Sequence, residues 1–176
     1  MRDRLFIRPF QLPDTAGFTR NVLQCADLHA QFGIASPFSE TEAAAYVKDR
    51  CRFRTRRHFH DYVILLQRET EQQEEIRGEP IGEINAAWIA PDSADIGFVI
   101  AAAYRNQGYC TEAIRQLEEK LAEDGVRKMY GACERENAAS AAVMKRCGMK
   151  RIGKPDEKVR EKENMDGLVW FYKEIG

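Results

Sequence analysis

The amino-acid sequence predicts one mixed α/β (α+β) domain, in which a largely antiparallel central sheet is flanked by helices. Its 176 residues, 44% of them hydrophobic, are enough for one full core and too few for two, so residues 1–176 are taken as a single domain. The periodic segments run strand, two helices, three antiparallel strands, then helix, strand, helix, strand, strand. This order gives about seven strands and about four helices.

The N-terminal third contains one strand and two short helices. Residues 5–10 alternate in polarity and stop at Pro9, as a first strand would. Pro13 opens a weakly helical region. Ser39 or Thr41 could cap the alanine-rich helix that follows.

Three strands occupy the middle of the chain. Residues 62–67 form a continuous apolar run, and a polar turn separates them from 81–89, so the two segments are predicted to pair as a hairpin. Residues 95–101 form the third strand. Gly97 inside it indicates a bulge or a close backbone approach.

The C-terminal half alternates helix and strand. Apolar residues recur at helical spacing from Ile114 to Leu121, and Gly125 suits the position just past that helix. The next segments are predicted as strand, helix with Asn137 as its cap, strand and strand, over residues 128–133, 137–147, 149–153 and 168–175.

Composition excludes several classes of protein. The 27 basic and 28 acidic residues nearly cancel, so no overall field would draw the chain to nucleic acid or membrane. No apolar run approaches the ~20 residues of a membrane span, and the charged N-terminus does not look like a signal peptide, so a cytoplasmic protein is expected. Neither a disulfide framework nor a metal site is expected, because the cysteines are odd in number and scattered, at positions 25, 51, 110, 133 and 147.

The stretch YRNQGYCTEA, residues 104–113, joins a predicted strand to a predicted helix. The middle of this stretch consists of turn-forming residues and small side chains. A helix N-terminus carries unpaired main-chain N–H groups and a partial positive charge, so this junction could receive an anion. Gly108 would let the backbone approach a phosphate, Arg105 adds a charge and Thr111 adds a hydroxyl. Glycine before a helix is also ordinary turn chemistry, and that alternative stays open at this point. The standard phosphate-binding and dinucleotide-binding glycine loops are absent.

These residues resemble a known family. IGFVIAAAYRNQGYCTEAI, followed by ENAASAAVMKRCGMKRIG, is similar to the GNAT N-acetyltransferases, and within them to the RimJ/RimL-like branch that acetylates N-terminal amines. The resemblance extends to IRPF, IGEI and DGLVWFYKEI, and so covers nearly the whole chain. It implies a GNAT-type sheet with a V-shaped splay between the fourth and fifth strands, and acetyl-CoA as the acyl donor without a metal.

The resemblance also assigns cofactor contacts. The main chain of Val99 and Ile100 would pair with the pantetheine arm, and Asn137 would contact the pantetheine region where the sheet opens. The diphosphate would be bound by main-chain amides of Arg105, Asn106, Gln107, Gly108, Tyr109, Cys110 and Thr111. Three departures stand out: Ala101-Ala102 replaces Asp-Pro, Asn106 replaces a common glycine, and Cys110 replaces a smaller residue, which could weaken cofactor affinity.

Acyl transfer needs a neutral amine, a stabilised oxyanion and a proton for the departing thiolate. At pH 7 about a tenth of the α-amino groups in a population are neutral, whereas well under about a thousandth of lysine side chains are. An N-terminal amine therefore needs only a weak base to remove its proton. Asp95 is the candidate base, acting through water, or else an exposed strand-end carboxylate, and Glu83 is the fallback. Ser140 is the candidate acid, or else an ordinary helix serine. Direct attack is expected, with no covalent role for Cys110.

The favoured acceptor is a protein or peptide N-terminal α-amine of the ribosomal-protein type. The alternatives are a polyamine or aminoglycoside acceptor, or a non-catalytic acyl-CoA-binding module. The arginine-rich run at 50–57 could contact RNA, an acidic peptide or CoA, or could pair with the acidic turn at 69–75. Nucleic acid and membrane are not expected as partners. The apolar strand LVWFY could join a homodimer interface.

Overall fold

A computed structural model of the protein describes residues 4–25, 37–53, 59–67, 78–153 and 167–176. The described residues form one seven-stranded sheet and four α-helices, which confirms the predicted fold class. The strands are β1 (Leu5–Pro9), β2 (Phe59–Gln67), β3 (Gly78–Ala90), β4 (Ser93–Ile100), β5 (Lys128–Glu134), β6 (Lys150–Ile152) and β7 (Leu168–Glu174). The helices are α1 (Thr15–Phe18), α2 (Glu40–Phe53), α3 (Tyr109–Glu123) and α4 (Ala138–Arg146). None of the described helices is long and apolar enough to cross a membrane.

The sheet order is β1-β2-β3-β4-β5-β7-β6, and every neighbouring pair is antiparallel except β4 and β5. These two parallel strands pair only over residues 93–96 and 128–131. Beyond Ile96 and Gly131 each strand continues without pairing to the other. The two strands therefore diverge at their C-terminal ends, which is the V-shaped splay expected of this fold.

Helices cover both faces of the sheet. On one face, here called the α3 face, Ile114, Leu117 and Leu121 are fully buried in the larger core cluster. On the other, the α2 face, Phe18 and Val47 pack against the sheet in a second cluster. This second cluster contains Val63, Leu65 and Val99 of the sheet. Because side chains alternate along a strand, Gly97 and Asp95 of β4 share the α2 face with Val99.

Local sequence signals place the helix ends. Ser39 begins α2 with a capping box, in which its N–H donates to Glu42 Oε2 at 2.8 Å and its Oγ accepts from the Glu42 N–H at 3.3 Å. Ser39, not Thr41, is therefore the cap. Asn137 caps α4, as predicted. Gly125 follows α3 with φ +86°, a left-handed conformation that glycine adopts without strain.

Two expectations need correction. The N-terminal helical region is broken into three pieces, because a 3-10 turn (Leu12–Asp14) precedes α1 and a π-helical turn (Thr19–Leu23) follows it. Gly97 lies in a regular part of the β3–β4 register, so it marks no bulge. What comes close to it is the side chain of Asn85.

The C-terminal strand occupies an inner position. β7 lies between β5 and β6; it pairs with β5 along its whole length and with β6 over residues 170–172. A second copy of the chain could therefore not extend the sheet through the middle of β7, and dimerisation stays a prediction. The acidic turn at 69–75 lies outside the described residues.

Candidate active site

The junction between β4 and α3 has the geometry of an anion-binding loop. Among the described residues, none accepts a hydrogen bond from the main-chain N–H groups of residues 106–111, and no side chain caps α3 at Gly108. Helix α3 is 15 residues long, so its N-terminus carries the partial positive charge of a full macrodipole. The loop therefore presents several neighbouring main-chain N–H groups that have no hydrogen-bond acceptor among the described residues.

Left-handed backbone shapes this loop. Gly108 has φ +83°, and a Cβ there would meet only the Arg4 Nη2 atom, at 3.5 Å. Asn106 has φ +61°. Asparagine is among the few residues that tolerate this conformation. The departure from glycine at this position is thus compatible with the same turn.

The side chain of Arg4, which directly precedes β1, holds the loop between β4 and α3 in place. The sequence did not indicate this role. Its guanidinium pairs with Glu112 at 2.9 Å and donates to the Gln107 carbonyl at 3.1 Å. It also lies over the Tyr109 ring, 4.7 Å from the centroid. The Glu112 carboxylate accepts from the Arg4 main-chain N–H as well, at 2.8 Å. The loop is held in shape by a contact more than a hundred residues away in sequence.

Arg105 is turned back towards the sheet. Its Nε donates to the Ile100 carbonyl at 2.9 Å, so part of this side chain ties the loop to the end of β4. The predicted free charge facing a diphosphate is therefore partly engaged with the protein's own main chain.

The main chain of β4 supplies the inner wall of the splay. The Ala101 N–H donates to the Ile81 carbonyl, and main-chain groups alternate in direction along an antiparallel strand. The groups of Val99 therefore point to β3, and those of Phe98 and Ile100 point into the splay. Of the two residues predicted to pair with pantetheine, the main chain of Ile100 faces the splay, with its carbonyl accepting from Arg105, and that of Val99 does not. The other main-chain groups that face the splay are those of Phe98.

Cys110 packs against the α3-face core. Burial raises the pKa of its thiol to about 12, with the neighbouring Cys147 adding to the effect. A thiol this hard to ionise is a poor nucleophile at neutral pH. The described residues contain no group of three side chains able to hold a metal ion.

The α2 face carries the acidic residues. Asp95 lies half-buried on β4, between Ala87 on β3 and Tyr130 on β5, within the last pairs before the splay. Glu83 lies further along, opposite Val99, and is buried. The Tyr46 hydroxyl donates to Glu83 Oε2 at 2.6 Å.

Glu83 belongs to a buried ion cluster, defined as Tyr46, Arg50, Asp61 and Glu83. Arg50 Nε lies 3.1 Å from Asp61 Oδ2 and 3.3 Å from Glu83 Oε1. Burial and the adjacent Glu83 raise the pKa of Asp61 to about 8, and Arg50 opposes them. Burial, and then Glu83, also raise the pKa of Tyr46. One guanidinium thus serves two carboxyl groups, which can share a proton.

The cluster changes the interpretation of the arginine run. Arg50 faces inward, whereas Arg52 is 70% exposed and lies 3.5 Å from Asp49 on the surface. Residues 54–57 lie outside the described part of the chain. Sequence reasoning missed Asp61 and Tyr46; a polar residue beginning an apolar strand was the one available signal for Asp61.

The first turn of α4 holds the two remaining candidates. Asn137 Oδ1 accepts from the Ser140 main-chain N–H at 3.0 Å. The carbonyl of the Asn137 side chain therefore caps the helix, and its NH₂ group forms no hydrogen bond with the described residues. Ser140 is half-buried on the same turn.

The chain is similar in sequence to known acetyltransferases. The sequence profile described as "Acetyltransferase (GNAT) domain" matches residues 4–150. The "Uncharacterized N-acetyltransferase YnaD" of Bacillus subtilis (strain 168) is 38% identical over 60 residues, which are 34% of this chain and 35% of that protein. The match thus spans about a third of that relative's length.

Solved structures share the fold. RimL, the ribosomal L7/L12 α-N-protein acetyltransferase in complex with coenzyme A, superposes with a TM-score of 0.75 at 19% identity, over 99% of this chain and 96% of that one. A GNAT-family acetyltransferase from Bacillus anthracis gives 0.74 at 20%, over 99% and 96%. An acetyltransferase from Salmonella typhimurium that modifies the N-terminal serine of L7/L12 gives 0.73 at 19%, over 99% and 97%.

Proposed function

The chain belongs to the GNAT acetyltransferase domain family, and from this membership we propose that it transfers the acetyl group of acetyl-CoA to a primary amine. The favoured acceptor is the N-terminal α-amine of a protein or peptide, attacked directly in a ternary complex. The observation that carries the proposal is the splay of β4 from β5 beside a loop whose amides at 106–111 have no described acceptor.

The loop fits the diphosphate of acetyl-CoA. Gly108 leaves space where a side chain would stand, and Arg4 holds the turn through the Gln107 carbonyl. Each contact with the helix terminus is worth only ~0.3–1 kcal/mol when exposed, so affinity depends on several amides converging. When bound, acetyl-CoA supplies the activated acetyl group. The main chain of Phe98 and Ile100 lines the path along which its pantetheine arm would lie.

Asp95 and Ser140 are the proposed proton-handling groups. Asp95 lies where β4 and β5 are about to part, and would take the amine proton through a water molecule. Ser140, in the first turn of α4, would donate the proton that the leaving sulfur needs. Glu83 is less suited to act as a base, because Tyr46 and Arg50 already occupy its carboxylate.

The acceptor proposal rests on proton chemistry and on the fold neighbours. An α-amine is about one-tenth neutral at pH 7, so it suits a site whose candidate base acts only through water. Two of the structural neighbours are described as acting on L7/L12 N-termini. Peptides that begin with serine are therefore the first acceptors to test.

A thiol-release assay with acetyl-CoA tests the function. The panel would contain a serine-initiated peptide, the same peptide with a blocked N-terminus and an internal lysine, a polyamine and an aminoglycoside. We expect transfer to the free α-amine and none to the blocked peptide. A signal at the level of acetyl-CoA hydrolysis for every amine would refute the proposal.

Variants separate catalysis from binding. Asp95→Asn and Ser140→Ala should each lower kcat by about 10²-fold or more, and calorimetry should show unchanged CoA affinity. Asp49→Asn, an exposed carboxylate on α2, is the matched control and should leave kcat unchanged. Tight CoA binding with negligible turnover that neither substitution alters would favour a non-catalytic acyl-CoA-binding module instead.

A further inference from the structure

A row of three residues crosses the sheet towards the splay. Asp61 on β2 lies opposite Asn85 on β3, and Asn85 lies opposite Gly97 on β4. All three belong to the α2 face, because Gly97 shares the side of β4 that carries Val99. Gly97 is the first residue of β4 beyond its last pair with β5, Ile96 with Gly131. The row therefore ends where the two strands begin to part.

The side-chain amide of Asn85 lies directly over Gly97. A Cβ at Gly97 would come within 2.9 Å of Asn85 Oδ1 and 3.3 Å of Nδ2, so glycine is what leaves the amide room. Asn85 is half-buried, and none of the described residues forms a hydrogen bond with its side chain. An amide offers one carbonyl acceptor and two N–H donors. Here the carbonyl and the NH₂ group of Asn85 have no hydrogen-bond partner among the described residues. They lie in the middle of the sheet, next to the point where β4 and β5 part.

The charges beside Asn85 suit a cationic acceptor. The ion cluster holds the carboxyl groups of Asp61 and Glu83 and the single guanidinium of Arg50. It is neutral while Asp61 keeps its proton, and a cation brought beside it favours release of that proton, which gives the cluster a negative charge. Asp61 Oδ1 is buried and receives no hydrogen bond from the described residues. An anionic acceptor group would meet repulsion here, whereas an amine would not.

We propose that Asn85 positions the acceptor, with Oδ1 accepting a hydrogen bond from the amine and Nδ2 donating one to a carbonyl oxygen that follows the amine. This inference rests on the proposed function and narrows its substrate class. In a peptide N-terminus the amine and the first carbonyl are separated by one carbon, which suits a single amide with an acceptor and a donor side by side. A polyamine has no carbonyl to accept the second bond.

The test pairs a change in the protein with a change in the substrate. The two acceptors are a short serine-initiated peptide and an amine of the same length in which the first carbonyl is replaced by CH₂. Wild type and Asn85→Leu, a change of similar volume without hydrogen-bonding groups, are compared by kcat/KM on both. We expect wild type to prefer the peptide by about tenfold to a hundredfold, and Asn85→Leu to lose that preference.

Thermal unfolding and CoA calorimetry of Asn85→Leu show whether the variant is still folded and still binds CoA as the wild type does. An unchanged preference for the peptide, or equal losses on both acceptors, would overturn the assignment of Asn85 while leaving the proposed function in place. If wild type acetylates neither acceptor, nor any amine of the wider panel, the proposed function and this inference fall together.

Discussion

Replacing Gly108 with alanine tests the loop directly, and the chain contains a matched control. Gly108 and Gly125 have nearly the same left-handed backbone, with φ +83° and +86°. A Cβ at Gly125 meets nothing within 4 Å, and one at Gly108 meets only Arg4 Nη2, at 3.5 Å. Gly108 precedes α3 and Gly125 follows it. The two substitutions therefore lie at opposite ends of the helix and impose nearly the same backbone strain.

The expected magnitudes follow from this geometry. A left-handed alanine costs ~1–2 kcal/mol, and steric clash adds nothing at Gly125 and little at Gly108. In a domain of this size each kcal/mol lowers Tm by roughly 2–4 °C, so both variants should lose roughly 2–8 °C. Only the methyl group at Gly108 stands where the diphosphate would approach. Losing two or three contacts of ~0.3–1 kcal/mol each should weaken CoA binding by roughly 3- to 150-fold.

Calorimetric titration with CoA, beside thermal unfolding of the free proteins, measures both effects. Gly108→Ala should lose stability and CoA affinity, whereas Gly125→Ala should lose stability alone. Equal CoA affinity in the two variants would show that the amides at 106–111 do not bind the diphosphate. Equal Tm in Gly125→Ala and wild type would show that the strain argument is wrong.

Three further substitutions test the ion cluster, a helix cap and the core. The pKa of Asp61 is raised to about 8 in the folded protein, whereas the unfolded chain releases this proton near pH 4. The contribution of Asp61 to the free energy of unfolding is therefore fully present below pH 4 and is lost as the pH rises to about 8. Asp61→Asn should flatten that decline in denaturant-unfolding free energies measured from pH 5 to 9, and parallel curves for variant and wild type would contradict the shared proton. Asn137→Ala removes the α4 cap and should lower the unfolding free energy by about 1 kcal/mol, whereas an unchanged value would mean that the 3.0 Å bond to Ser140 contributes nothing. Leu117→Ala creates a cavity at a fully buried position and should cost about 2–5 kcal/mol in urea unfolding, so a loss below about 1 kcal/mol would contradict its place in the α3-face core.

Local patterns were enough for the elements and the loop. The caps at Ser39 and Asn137 and the glycine at 125 could be predicted because each acts on backbone within a few residues of itself. The residues around Gly108 indicated an anion site for the same reason, since a helix terminus creates its own donors. Resemblance to a family then supplied the splay, which no local pattern encodes.

Contacts across the sheet decided the rest of the site. Arg4 reaches the loop from β1, and Arg50 reaches Asp61 and Glu83 from α2, so neither role follows from sequence spacing. The direction of the Val99 main chain depends on the register with β3, and a shift of one residue would reverse it.

The sequence by itself determined the order of strands and helices, the caps of α2 and α4 and the glycine turn before α3, because propensity, periodicity and capping act within one or two turns of the chain. Only the tertiary structure decided that Asn85 lies over Gly97 and that Asp61 and Glu83 share one guanidinium. Register and helix docking bring those side chains together from distant segments, and these depend on the packing of the whole core.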